Sequence, residues 1–552
     1  MIRDVKQLTD TQFDLLVIGG GINGAVISWH ASLAGLSVAL IEKGDFAQAT
    51  SSNSQKIIHG GLRYLQQLDI PRVRQSLRER QHLMWLAPHL VHPLPCIMPL
   101  YGHGMKGKEA LWLGLRVFDL IGRDRNGIPD SSKFIPSGRI LSRIDTNQLI
   151  PNLSQKGLNG AAQWHDAICY NTERLVLSFI KSAHKMGAVV ANYVVATKLK
   201  QNKDSIIVVT SQDRLSGQTF DIIAKNVINI TGPWINDLIN FSKPKLSRPQ
   251  VSYACGINII TNRLFPHSTA IALKNPCDNG SRLYFVVPWR GKSIIGTEWF
   301  TYNNHPDNLE VSERQCSQLI SSFNSAYPPA KLDLSDILHV HCGLVPCNQE
   351  NGNLSKDIPI LKHFQIIDHS HEGIKGMVSI IGVKFTTGGY VAEKVLKYMF
   401  PSINIKQPLS HPQLEGAKID YFSSFQTKVV QKWKSKISEN ESIRLILNYG
   451  TEMEEIIKLA INDSFTDTEN IGNSLDILKG ETLFAIRHEM AQKLSDVIMR
   501  RTDRGTLGCP SELDLCKISA LMAKELGWTE AHRNFQVEEI RDNYPPFLRT
   551  AN

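Results

Sequence analysis

The chain has 552 residues, 42% of them hydrophobic and 20% charged, and 61 Lys and Arg against 52 Asp and Glu leave a net charge of +9. That length exceeds one ordinary hydrophobic core and the composition is globular, so two or three domains are expected. The basic residues are spread along the chain with no nucleic-acid motif, which argues against a nucleic-acid partner. Nine cysteines without a CxxC pair read as reduced, mostly buried thiols, and no metal site is expected.

The N-terminal MIRDVKQLTDTQFD is polar and lacks an apolar core. No apolar run reaches the roughly eighteen residues of a membrane span, so a cytoplasmic protein is expected. At Leu15 an apolar run begins that enters Gly19-x-Gly21-x-x-Gly24, a helical stretch follows, and a second apolar strand ends on Glu42. This order reads as a dinucleotide site: Gly19 permits a tight turn, Gly21 admits a pyrophosphate to the backbone, and Gly24 lets helix and strand pack closely. The phosphates then meet a helix N-terminus, while Glu42 accepts hydrogen bonds from a ribose and argues against a 2′-phosphate.

Strand and helix signals alternate to about Leu90, where the proline-rich HLVHPLPCIMPLYG (His89–Gly102) breaks the pattern and a different layer begins. The segment Lys106–Arg125 has an apolar face of Trp112, Leu115, Val117, Phe118 and Leu120 between basic residues. It reads as a helix packed on the core, with a membrane-surface helix as the alternative. From Ala161 the alternation resumes: Thr172–Met186 reads as helix, Val189–Lys200 and Asp204–Ser211 as strands, and Asp221–Asp237 sets a strand ahead of Thr231-Gly232-Pro233-Trp234. Runs such as Tyr284–Trp289 and Lys292–Thr297, between about residues 250 and 345, suit a mostly antiparallel sheet facing substrate. Met377–Met399 returns to strand, glycine turn and helix, and beyond about residue 407 the patterns in Glu452–Ile461, Glu481–Arg500 and Leu513–Leu526 are helical. There Arg500 and Arg501 are expected to pair with acids such as Asp496 and Asp503.

GGGINGA at the start, ATSSNSQKIIHGGLRYLQQ (Ala49–Gln67), NITGPW, IIGT, GVKFTT and RHEMAQKLSDVIMRRT (Arg487–Thr502) together resemble the FAD-dependent glycerol-3-phosphate dehydrogenases across nearly the whole chain. The resemblance implies an α/β protein in which a Rossmann-like FAD-binding domain (12–90, 151–235 and 371–400) is interleaved with an antiparallel-sheet substrate domain (91–150 and 236–370). A helical C-terminal domain (411–552) follows. It also implies oxidation of sn-glycerol 3-phosphate to dihydroxyacetone phosphate by hydride transfer to flavin N5, with a quinone or another acceptor taking the electrons and peripheral membrane contact as a further implication.

In that reading Gly19, Gly21, Gly24 and Glu42 hold the ADP half of FAD. Thr50, Ser51, Ser52, His59, Gly60 and Gly61 lie along the pyrophosphate and flavin, and Thr231, Gly232, Gly382, Lys384 and Thr386 close around the flavin. Arg63, Tyr64, Lys384 and His341 are the candidate catalytic residues, although His59 and His341 also read as hydrogen-bonded scaffold. Three departures from the family pattern fall where substrate binds. Gly256-Ile257-Asn258 stands for Gly-Ser-His, Gly343-Leu344-Val345-Pro346 for Gly-x-Arg-Pro, and Gly296-Thr297-Glu298-Trp299 for Gly-Thr-Thr-Asp. A second family arginine aligns with Lys362, and His341, Lys362 or Arg282 are the candidates to compensate. The alternatives are a paralogue that oxidises another secondary alcohol or an amine, and an inactive flavoprotein.

Overall fold

The computed structural model describes all residues except 105–106, 248, 250, 276–281, 349–357, 406–407, 463–475, 503 and 550–552. Phe13–Ile18 is apolar on both faces save for Asp14, and the strand Gln12–Ile18 lies in the middle of a sheet, parallel to Val38–Ile41 on one side and Thr219–Asn229 on the other. Val189–Ala191 extends the parallel set beyond Val38–Ile41, and Met377–Ile381 extends it beyond Thr219–Asn229. The first half of Thr219–Asn229 instead runs antiparallel to Ile207–Asp213, which pairs with Val194–Gln201, so one long strand joins a parallel core to a meander. The helix Ile22–Leu33, apolar nearly all round, fills the layer above with Thr172–Lys185 and Gly388–Met399.

A second sheet runs in the order Ile337–Cys347, Ser252–Asn262, Lys292–Tyr302, Leu283–Trp289, Ala270–Lys274, Val91–Tyr101, Leu158–Cys169, Ile57–Ile58, with Arg139–Leu141 beside Leu158–Cys169. It is antiparallel except where Ala270 and Ile271 meet Cys96 and Ile97. Helix Glu313–Ala326 covers its outer face: the Ser312 and Gln315 capping box starts it, and Cys316, Leu319, Ile320 and Phe323 turn inward at helical spacing. Seven α-helices between Phe422 and Asp542, with a π-helical turn at Val497–Arg501, form the C-terminal layer among the described residues.

Several boundaries differ from those read in the sequence. The proline-rich segment is itself an eleven-residue strand, Val91–Tyr101, because Pro93, Pro95 and Pro99 share one parity and their missing N–H groups fall along one edge. Leu158–Cys169 and Ile57–Ile58, grouped above with the cofactor domain, pair in the second sheet, while Gln365–Asp368, grouped with the substrate domain, pairs with Met377–Ile381. Val189–Lys200 is two strands, broken at Tyr193, whose φ is +57°. Glu481–Arg500 is not one helix: Ile477–Glu489 ends at Met490, with φ +55°, and Asp496 Oδ2 caps a new turn by accepting the N–H groups of Gln492 (2.8 Å) and Lys493 (3.0 Å).

The amphipathic segment forms helix Lys108–Ile121, with Lys106 outside the described residues. Leu115 and Phe118 are buried, but Trp112, Leu113 and Leu120 are exposed, so its apolar residues divide between two faces. No helix among the described residues is long and apolar enough to cross a membrane. The eight described cysteines carry free thiols, and Cys277 lies outside the described residues.

Candidate active site

A cavity of about 1430 Å³ opens between the two sheets. Pockets for small ligands are usually about 300–1,000 Å³, so this one has room for a dinucleotide with a small substrate beside it. Its floor is the turn after Gln12–Ile18. Gly19 has φ +120°, and a Cβ there would lie 2.5 Å from Ile230 O; a Cβ on Gly24 would lie 1.9 Å from Gly19 O. Only glycine fits at either position. Gly21 is the N-cap of helix Ile22–Leu33 and offers no side-chain cap, so the cavity meets bare helical N–H groups, one of which, Ile22 N–H, is taken by Ser51 Oγ at 3.0 Å.

Glu42 ends its strand with its carboxylate turned back to the turn: Oε2 accepts from Gly20 N at 2.7 Å and Oε1 from Gly44 N at 2.9 Å. Burial raises its proton affinity, and those two N–H groups pull against the rise. Thr50 Oγ1 donates to Leu344 O at 2.9 Å, joining the loop after Glu42 to the second sheet. Further along, His59 Nδ1 lies 3.2 Å from Asp166 Oδ2, and Asp166 Oδ1 accepts from Gly60 N at 2.6 Å. Although burial pushes the other way, His59, Arg80 and Gly60 hold Asp166 below the usual carboxylate range.

Of the residues selected from the sequence, Gly19, Gly21, Gly24, Glu42, Thr50, Ser51, His59, Gly61, Arg63, Tyr64, Thr231, Gly232, Gly382, Lys384 and Thr386 line the cavity. Ser52, Gly60 and His341 are outside its lining. Ser52 Oγ donates to Ala49 O within its own turn, and Gly60 is committed to Asp166. His341 is fully buried between Trp289 and His339, with Nδ1 3.0 Å from Ser54 O, and burial followed by Lys56 drives its proton affinity far down. It packs as a buried side chain outside the cavity lining, with Nε2 lacking a hydrogen-bond partner among the described residues, so the geometry gives it no contact with the cavity.

The positions that depart from the family pattern do meet the cavity. Asn258 Oδ1 accepts from Thr297 Oγ1 at 2.7 Å; Trp299 lies over Gly256, where a Cβ would approach its ring to 2.7 Å; Val345 adds an apolar wall. Arg282 also reaches the lining, but it pairs with the buried carboxylate of Glu298, which accepts a second bond from Tyr284 OH at 2.5 Å. Lys362 is an exposed lining residue. The sequence reading missed Arg72, Lys43 and Asp166, none of which lies in a recognisable motif.

Orphaned polar atoms also border the cavity: Asn23 Oδ1, Gln55 Nε2 and Arg72 Nε are buried without a hydrogen-bond partner among the described residues. A glycine cradle, helical N–H groups at its end, a carboxylate lining the cavity at the end of the second strand and unsatisfied polar atoms together fit a flavin dinucleotide.

The sequence comparisons agree with that fit. Residues 14–395 match the family model of FAD dependent oxidoreductases, and residues 410–533 match the C-terminal domain of alpha-glycerophosphate oxidase. The chain belongs to the FAD-dependent oxidoreductases. It is therefore a flavoenzyme and its cofactor is FAD. A glycerol-3-phosphate dehydrogenase of Synechocystis sp. is 32% identical over 98% of each chain, and an aerobic glycerol-3-phosphate dehydrogenase of Staphylococcus saprophyticus is 28% identical over 97% of this chain and 95% of its own. The fold is that of the glycerol-3-phosphate dehydrogenase from Bacillus halodurans solved in complex with FAD, with a TM-score of 0.77, 22% identity, and coverage of 99% of this chain and 97% of that one.

In this flavoenzyme the C-terminal helices meet the cofactor domain through buried charges. Arg501 Nη1 and Nη2 each donate to the Asp45 carboxylate at 2.8 Å; Arg500 Nε does so at 2.5 Å and reaches Asp496 at 2.7 Å through Nη2. Burial alone would raise Asp45, but Arg501 and Arg500 bring it down to about 2. Arg500 thus pairs with Asp496 as expected, and both arginines also meet Asp45, three residues after Glu42, which the sequence reading did not name. Asp503 lies outside the described residues.

Proposed function

We propose that the protein oxidises the secondary hydroxyl of sn-glycerol 3-phosphate, giving dihydroxyacetone phosphate. The observation that carries this reading is the chamber beyond the glycine cradle, lined by Arg63, Tyr64, Lys362 and Lys384. Cations there suit an anionic substrate, and arginine's planar donors match phosphate oxygens. The full-length relatives named for the same substrate point the same way.

When bound, FAD supplies at N5 a two-electron acceptor for the hydrogen of the carbinol carbon. The hydroxyl proton needs a base, and we assign it to Lys384 Nζ. Burial, with Arg72 nearby, brings the Lys384 ammonium down to about 7, which leaves a large amine fraction at neutral pH. A second reading of the same role is favoured by His59, whose Nδ1 contact with Asp166 is the arrangement of a base and its orienting carboxylate.

Electrons then leave for a quinone or another acceptor at a membrane surface. Supporting this, helix Lys108–Ile121 exposes Trp112, Leu113 and Leu120 beside Arg116, and it packs against Leu62–Leu65, which borders the cavity.

Anaerobic addition of sn-glycerol 3-phosphate to the flavin-loaded protein is the test. Rapid bleaching of the flavin absorbance at millimolar or lower substrate, with much slower bleaching by glycerol, is expected. Flavin-loaded protein that is not bleached overturns the reading, and bleaching by a different alcohol or amine replaces the substrate.

A further inference from the structure

We propose that Arg72 anchors the substrate's phosphate, supplying the guanidinium that the strand position of Val345 does not. The inference rests on the reading of the substrate as a phosphate monoester and goes beyond it in naming a residue outside every motif that led there.

Arg72 sits in the first turn of helix Ile70–Leu86, lines the cavity and is only 7% exposed. Its Nε has no hydrogen-bond partner among the described residues. Buried arginines are ordinarily paired, and the first turn of a helix is its positive end, where a cation is disfavoured. A second cation shares the space: the Arg72 guanidinium carbon lies 4.0 Å and Lys384 Nζ 4.1 Å from the centre of the Tyr64 ring. The acid at this helix end, Asp69, uses Oδ1 to accept the backbone N–H of Arg72 at 3.2 Å. A buried guanidinium with an orphaned donor, on the same aromatic ring as the Lys384 nitrogen, leaves a site that an incoming anion completes.

The arrangement is held in place from below. Ser76 Oγ donates to Arg72 O at 2.9 Å within the helix, and Glu79 Oε2 accepts Gly389 N–H at 3.1 Å, fastening this helix to the one that follows Lys384. Arg72 is thus fixed relative to Lys384, although the two lie on separate segments. Val345, on the facing sheet, gives the phosphate no donor beyond its backbone.

The experiment compares holoprotein with R72Q and R72K, using inorganic phosphate as a probe through its perturbation of the flavin spectrum and anaerobic reduction by sn-glycerol 3-phosphate and by glycerol. R72Q is expected to weaken phosphate binding by about 10–100-fold, the range for a lost charged hydrogen bond, and to lower the preference for glycerol 3-phosphate over glycerol by a similar factor. R72K, which keeps the charge without the planar fork, is expected to show a smaller but measurable loss, up to about tenfold. An R72Q protein that binds phosphate like the wild type overturns the assignment, as does one that loses phosphate and glycerol equally. Should R72Q not retain FAD, R72K decides, because a phosphate affinity equal to the wild type's overturns the bidentate anchor. Wild-type protein that binds phosphate but is not reduced by glycerol 3-phosphate refutes the proposed reaction while sustaining Arg72; reduction with an unaffected R72Q does the reverse.

Discussion

The two ends of the cavity are built by different means. At the cofactor end the ligand meets mainly backbone: the turn through Gly19, Gly21 and Gly24, the open end of helix Ile22–Leu33 and one carboxylate, all within about thirty residues of sequence. The proposed substrate end is lined by side chains brought from distant segments, Arg63 and Tyr64, Arg72, Asn258, Val345 and Lys384. A backbone cradle tolerates almost no change, whereas a wall of side chains can exchange one cation for another and keep its charge. This explains how the chain can depart from the family pattern at Asn258 and Val345 while its glycines remain.

The comparison predicts unequal responses to substitution. The largest is expected at the cradle: Gly24→Val puts side-chain atoms onto Gly19 O, where even a Cβ would be 1.9 Å away, and the purified variant is expected to carry no flavin by its visible absorbance. Flavin at wild-type occupancy in that variant breaks the contrast between the two ends.

The next effect tests whether the cofactor end stands alone. Asp45→Asn leaves Arg500 and Arg501 buried with a neutral partner and is expected to destabilise the fold by about 3–5 kcal/mol, read from urea unfolding of the holoprotein. The same contact sets an acid limit. With the folded carboxyl near 2 and an unfolded one near the ordinary ~3.9, its contribution is complete above about pH 4 and is lost as the pH falls toward 2; Asp45→Asn should flatten that part of the stability curve.

The smallest effect is at the substrate end and concerns pH. A base that titrates near 7 must lose its proton to act, so kcat/KM for glycerol 3-phosphate is expected to fall about tenfold per pH unit below 7 and to level off above it. Lys384→Met should abolish that acid limb with FAD retained. A limb that survives in Lys384→Met and disappears in His59→Gln moves the proton to His59 and sharpens the assignment.

Legibility in the sequence follows the same division. The strand, turn, helix and acid from Leu15 to Glu42 could be read directly, because the glycine spacing, the strand before it and the acid after it all fall within one short stretch of chain. His341 shares a strand face with the cavity-lining Gly343 and Val345, but its ring packs against Trp289 outside the lining, a contact between segments far apart in the chain. Arg72 was invisible for the opposite reason: a basic residue three positions past an N-cap looks like a solvated helix end until the fold buries it beside Lys384 and Tyr64. Likewise Asp496 and Arg500 are four residues apart and recognisable as a local pair, but Asp45, hundreds of residues earlier, is recognised only when the domains meet.

By itself, then, the sequence determined the fold class, the dinucleotide cradle and the order of layers, since these depend on periodicity, glycine conformation and spacing within single segments. The tertiary structure alone decided which strands belong to which sheet, which basic residues line the cavity and how the C-terminal helices lock onto the loop after Glu42. Those are contacts between residues far apart in the chain, fixed by burial and by the need of every buried charge for a partner.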